Sequence, residues 1–468
     1  MTATRPLVLA LFAVLVGLTP STARAAAAAD ADPARPNILL IVADDLGWAD
    51  VGWHGGRFRT PHMDRLVREG VELDRHYVQP VCTPTRAALL SGRWTGRFGP
   101  HALAPSNLRI FPPGYVTLAS ALRESGYATH LAGKWHLGSR EEWGPQNYGF
   151  DQSYGSFSGA VDPWTHGYRK GEYEKTWHRN GKRLDEEGNA TELVAAQAVK
   201  WVEAGAAAKR PWFVYVPFQA VHIPVDAPDE YKRPYADAMF DPDPKRNESL
   251  QRFAAFVTQL DAKVGGLVAA LDRTGQRRNT LVVFTSDNGG LWAGGNAYVS
   301  KVPPTPALSS NLPLRGQKAQ LYDGGIRVCA FASWPGTLGQ RRVSAFMHVA
   351  DWMPTLTKLA RWQPKGDPKF DGRDVWPVLT GAAADLDPRP IYIPANGGRV
   401  LLHGGWKLIE RAAGKVELYD VARDPGEATD LAAAEPARVA AMSAMLAEIR
   451  KGDLTTLPPD LKGAKEAF

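Results

Sequence analysis

The sequence predicts an α/β protein: a large mixed, mostly parallel sheet covered by helices, followed by a smaller C-terminal antiparallel α+β domain. Three observations carry the prediction. Continuous apolar runs, such as Asn37–Ala43 and Thr280–Ser286, mark strands buried on both faces. Stretches with helical periodicity alternate with them, as in a sheet covered on both sides. From about residue 385, short strands follow one another through Gly-rich turns, which is the pattern of an antiparallel sheet.

The chain opens differently. Arg5 precedes an apolar stretch from Leu7 to Leu18, and Ala23-Arg24-Ala25 leads into an alanine run ending at Ala29. Residues 1–28 therefore read as a secretory signal peptide, too short in its apolar part to span a bilayer. The expected destination is an exported one: periplasmic, secreted or lysosome-like. Cleavage removes Arg5 and Arg24, taking the formal charge from +6 to +4. That balance gives no case for nucleic-acid binding. Asn189-Ala190-Thr191 and Asn247-Glu248-Ser249 match glycosylation sequons.

Four strands end in polar residues. Asn37–Ala43 stops at Asp44-Asp45, and Thr280–Ser286 stops at Asp287-Asn288-Gly289-Gly290. Trp212–Pro217 leads through Phe218-Gln219-Ala220-Val221 to His222, and a weaker strand, Tyr127–Ala132, runs into Gly133-Lys134-Trp135-His136. The clearest helix covers Leu250–Leu271, with Phe253, Phe256, Val257, Leu260 and Val264 at helical spacing. Ligands of open α/β sheets bind beyond the carboxyl ends of the strands. Four such endings together predict a site there.

Asp44, Asp45, Asp287 and Asn288 offer hard oxygen donors, suited to Ca²⁺ or Mg²⁺. Adjacent aspartates in a strand point to opposite faces, so they converge only where the chain turns; Gly47 and Gly289-Gly290 are expected to give that freedom. Lys134 and His136 are two apart and would share a face in an extended stretch. Cys82 heads the run Cys82-Thr83-Pro84-Thr85-Arg86, whose proline suits a first helical turn. Backbone N–H groups there would face an incoming anion, with Arg86 one turn away.

This Cys-x-Pro-x-Arg run resembles the signature of the type I sulfatases, as do Gly133-Lys134-Trp135-His136 and Pro313-Leu314-Arg315-Gly316-Gln317-Lys318. The resemblance covers roughly residues 36–430 and looks nearest to the arylsulfatase B (N-acetylgalactosamine-4-sulfatase) branch. It implies an alkaline-phosphatase-like sulfatase fold, with residues 29–385 as the catalytic domain and 386–468 as a small antiparallel-sheet domain. It implies a sulfuric ester hydrolase whose Cys82 is oxidised by a formylglycine-generating maturation enzyme to Cα-formylglycine, the hydrate of which attacks sulfur.

By the same resemblance, Ca²⁺ is held by Asp44, Asp45, Asp287, Asn288 and a formylglycine oxygen at the Cys82 position. Lys134, Lys318 and Arg86 would neutralise the sulfate, Asp287 would act as base, His222 as acid for the leaving group, and His136 would assist sulfate release. Lys134, His222 and Lys318 would bind substrate, a sulfated sugar or aryl sulfate. Asp323 stands where many members carry Glu. With Cys82 used in chemistry, Cys329 has no partner, so no disulfide framework is expected.

The aromatic segment 143–183, with Trp143, Tyr154, Trp164, Tyr168 and Trp177, together with Trp292 and Asn296, would supply a substrate rim, or else pack into the domain. Two other readings remain open: a phosphonate monoester or phosphodiester hydrolase of the same superfamily, and a non-catalytic binder of sulfated glycans.

Overall fold

The computed structural model describes residues 1–2, 35–208, 210–292 and 308–463. The signal peptide and Asn296 lie outside the described residues. Ten strands make the large sheet: β1 (Asn37–Ala43), β2 (Val71–Leu73), β3 (Ala128–Lys134), β4 (Gln152–Ser156), β5 (Trp177–Arg179), β6 (Lys182–Arg183), β7 (Trp212–Pro217), β8 (Thr280–Ser286), β9 (Ala330–Ser333) and β10 (Arg341–Val343). In space they run β10-β2-β9-β8-β1-β7-β3-β4-β5-β6.

The middle five, β8-β1-β7-β3-β4, are mutually parallel. Antiparallel pairings begin at β9 on one side and β5 on the other. Every residue of β1, β7 and β8 is buried, which is why these strands read as unbroken apolar runs. Alternate side chains serve opposite layers: Leu39 and Ile41 join one core, Ile38 and Leu40 the other.

Against the first layer lie helices α2 (Ala190–Ala207) and α3 (Pro244–Arg273), through residues such as Val194, Trp201, Phe253 and Leu260. Helix α1 (Cys82–Ser91) packs in the second through Ala87, Leu89 and Leu90. A separate four-stranded antiparallel sheet follows: β11 (Ile391–Ala395), β12 (Gly398–His403), β13 (Trp406–Arg411) and β14 (Val416–Asp420). Helix α4 (Pro436–Arg450) packs on it through Met442 and Leu446.

Both sequon asparagines are built into this packing. Asn189 caps α2, accepting from the backbone N–H groups of Thr191 and Glu192, and is 3% exposed. The Asn247 amide accepts from Phe240 and Asp241 and donates to the Ala238 carbonyl. Neither amide is presented to a glycan in the folded chain.

Candidate active site

Register brings the first carboxylates together. Ala43 pairs with Ser286 across β1 and β8, so the next residues, Asp44 and Asp287, leave the sheet side by side. Asp45 then adopts a left-handed conformation, φ 60°, and this turn lets two consecutive aspartates serve one site. The expected source of freedom was the glycines, and that is corrected here. Gly47 has φ −77°, and neither Gly289 nor Gly290 has positive φ. Their role is close approach: a Cβ on Gly289 would strike the Gly324 carbonyl, and one on Gly47 or Gly290 would strike Ser309 Oγ.

Lys134, the last residue of β3, is fully buried and places Nζ 2.6 Å from Asp44 Oδ2. Lys318 Nζ lies 2.6 Å from Asp45 Oδ1, and Asn288 Nδ2 donates to the same oxygen at 2.8 Å. Although burial opposes it, the neighbouring Asp45 raises the Lys318 pKa well above its ordinary value. Conversely, burial works to raise Asp45, yet Lys318 and then His222 hold it below the usual carboxylate range.

Arg86 departs from the expectation that it meets sulfate. Its Nε and Nη2 both donate to Asp287 Oδ2, at 3.1 and 2.7 Å, and Nη1 donates to the Lys134 carbonyl. The guanidinium orients the base candidate and contributes positive charge from beneath the site. Burial works to lower its pKa, but Asp287, Tyr215 and Asp44 together raise it.

Cys82 is the first residue of α1, whose N-cap is Val81, with no side-chain cap. Burial raises the thiol pKa despite the opposing pull of Lys134 and Lys318. A neutral thiol at pH 7 is a poor nucleophile, so this position does not suit an ordinary cysteine hydrolase. Cys329 is also a free, buried thiol.

His222 fixes its ring through Nδ1, 2.6 Å from the Ile223 carbonyl, and Nε2 is 3.7 Å from Asp45 Oδ2. Burial, then Lys318, lowers its pKa. His136 is held well below its usual value by burial and by Lys134, Arg86, His222 and Lys318. The shared-face argument for Lys134 and His136 does not hold, because β3 ends at Lys134 and His136 takes φ 55°. They converge through a turn instead.

The residues fit a hard cation. Asp44 Oδ1 and Asn288 Oδ1 are buried oxygens with no hydrogen-bond partner among the described residues. Asp44, Asp45 and His222 each offer a ligand atom, all within 4.8 Å of one another. A carboxylate–amide oxygen set of this kind suits a cation such as Ca²⁺.

Most of the aromatic segment packs inside. Trp143, Tyr154, Tyr168 and Trp177 are buried, whereas Trp164 and Trp292 are exposed at 39% and 53%. Sequence reasoning missed Asn107, which hydrogen-bonds Tyr168 near Cys82 and Lys318. It also missed Asn311, whose amide accepts from Gly290 N–H and donates to Gly290 O, both at 2.8 Å. Neither asparagine stands in a pattern that would mark it out.

One buried and one partly buried ammonium group stand with a helix N-terminus around the carboxylates. Residues 36–361 match the Sulfatase family model, and the chain belongs to the sulfatase family. It is 34% identical over 408 residues to arylsulfatase J of Mus musculus, covering 83% of this chain and 64% of that protein. It is 33% identical to the N-acetylgalactosamine-6-sulfatase of Canis lupus familiaris, covering 77% of this chain and 68% of the relative. The solved structure of Ps i-CgsB in complex with k-i-k-neocarrahexaose is similar with TM-score 0.79 and 28% identity, covering 91% of this chain and 94% of its own. Near-equal identity to an arylsulfatase and to an N-acetylgalactosamine-6-sulfatase leaves the branch within the family undivided.

Proposed function

We propose that this chain is an exported sulfuric ester hydrolase that releases inorganic sulfate from a sulfated glycan or aryl sulfate. One observation carries the reading: buried Lys134 and partly buried Lys318 converge on the Asp44-Asp45 pair beside Cys82. A relative named N-acetylgalactosamine-6-sulfatase and a similar structure in complex with k-i-k-neocarrahexaose favour a sulfated sugar. The signal-like residues 1–28 favour export, and with it a maturation enzyme acting on Cys82.

When bound on Asp44, Asp45, Asp287 and Asn288, Ca²⁺ supplies Lewis-acid neutralisation of a sulfate oxygen. Conversion of Cys82 to formylglycine supplies a hydrated aldehyde, with one hydroxyl for attack and a second that permits sulfate release without hydrolysis at sulfur.

The chain's own residues do the rest. Lys134 and Lys318 bind sulfate oxygens and gain most as charge builds in the transition state. Asp287, oriented through Oδ2 by Arg86, is the base candidate. With Ile223 accepting from Nδ1–H, His222 carries the transferable proton on Nε2 and delivers it to the departing alcohol. An anionic ester beside the ring raises the His222 pKa and so loads that proton. Burial and the surrounding cations hold His136 neutral, and the negative charge of a bound sulfate would raise its proton affinity and let it assist as sulfate leaves.

Turnover of p-nitrophenyl sulfate against a phenyl phosphonate ester tests the reading. A preference for the sulfate ester is expected; a clear phosphonate preference contradicts it.

A further inference from the structure

The C-terminal sheet sends a fully buried lysine into the catalytic half of the molecule. Lys407 of β13 is fully buried, with Nζ 2.8 Å from Asp323 Oδ1 and 2.7 Å from Glu427 Oε1. Tyr77 donates its hydroxyl to Asp323 Oδ2 at 3.1 Å. Taking these charges out of water is expensive, so a buried ion pair of this kind is weak evidence for net stability.

What it holds is the loop that carries Lys318. Glu427 grips both ends: its carbonyl accepts from Arg315 Nη1 at 2.8 Å, and its Oε2 accepts from the Asp323 N–H at 2.6 Å. The loop closes on itself where Gly324 N–H meets the Arg315 carbonyl at 2.7 Å. Between those ends, Lys318 N–H reaches Gly290 O and Ala319 N–H reaches Pro80 O, next to the aspartate loop and to Cys82. Glu427 and Ala319 both take positive φ, 52° and 69°, conformations that non-glycine residues hold only under surrounding constraint.

We propose that Lys407, Glu427 and Asp323 form a positioning clamp through which the C-terminal sheet sets Lys318 against Asp45 and the sulfate. The assignment rests on the sulfatase reading above. It makes the small sheet part of the catalytic apparatus, although none of the three residues touches substrate.

The test uses Lys407→Met and Glu427→Gln in the full-length enzyme, each alone and each combined with Lys318→Ala. Glu427→Gln keeps the side-chain shape and carries the test if Lys407→Met does not fold. kcat and KM are measured on a sugar sulfate and on p-nitrophenyl sulfate, and the affinity for inorganic sulfate is measured by calorimetry. The clamp predicts a kcat loss of about a hundredfold on the sugar sulfate, the cost of a small misplacement. A similar loss is expected on the nitrophenyl ester, because Lys318 acts on sulfate oxygens that both esters share. Sulfate affinity falls about tenfold, as for a misplaced charged hydrogen bond. In the Lys318→Ala background neither substitution has a further effect. Equal losses with and without Lys318, or a kcat loss confined to the sugar sulfate, overturn the clamp. A wild type that binds sulfate but hydrolyses no sulfate ester overturns the proposed function, and sulfate affinity alone then decides the clamp.

Discussion

At Cys82 the sequence pattern and the structure agree, and they differ over its neighbour. The Cys-x-Pro-x-Arg spacing puts Cys82 at the first turn of α1. Arg86, one turn on, was legible as a positive charge near the site but not as the partner of Asp287, which lies 201 residues away. Long-range pairings of this kind leave no local signal. The left-handed turns at Asp45 and His136 were likewise invisible, since neither residue type demands positive φ. Substituting Cys82→Ala is expected to abolish turnover with the melting temperature kept, because the side chain is small and no ion pair is lost. His222→Ala should cut kcat by about 10²–10⁴-fold, more on poor leaving groups than on p-nitrophenyl sulfate, as removal of a general acid does. Steady-state kinetics on both ester types check this; near-normal activity of Cys82→Ala would contradict it.

Among elements, the fully buried strands β1, β7 and β8 were readable because burial on both faces forces continuous apolar residues. The outer strands were not, for β6 has only two residues and β5 and β10 three, too short for any periodicity. Helix α3 extends from Pro244 to Arg273, beyond the apolar span at both ends, since its first turn is set by the Asp243 cap. The aromatic segment 143–183 looked like a rim for the same reason that it forms a core: rings serve either purpose. Asn189 shows how one residue type carries two sequence meanings, sequon and helix cap, of which the fold uses the second. Asn189→Ala is expected to destabilise the protein by about 1 kcal/mol through loss of the α2 cap. Urea denaturation would measure it, and an unchanged midpoint would show that the cap contributes nothing.

For the whole molecule, buried histidines set an acid limit on stability. Burial holds His76 and His178 at about 3, against an ordinary 6.5. Between pH 6.5 and 3 the unfolded chain therefore binds protons that the folded chain refuses. Stability is full above pH 6.5 and falls as the pH drops toward 3, by up to about 1.4 kcal/mol per pH unit for each histidine. The His178 ring stacks on Phe157 with centroids 3.8 Å apart, so phenylalanine fits its place. His178→Phe should remove about 2 kcal/mol of the stability difference between pH 7 and pH 5. An unaltered pH slope in denaturant titrations would show that the imidazole is not held neutral. The fold class and the C-terminal sheet were legible at this scale, whereas the tie between the two sheets through Lys407 was not, because a buried lysine in a strand reads as a solvated one. The central claim is that Cys82 is not a cysteine in the working protein. Mass spectrometry of the tryptic peptide containing residue 82, taken from exported protein with measured sulfatase activity, tests it most directly. A peptide lighter by about 18 Da, thiol replaced by aldehyde, is the predicted result; an intact thiol throughout a fully active preparation would contradict it.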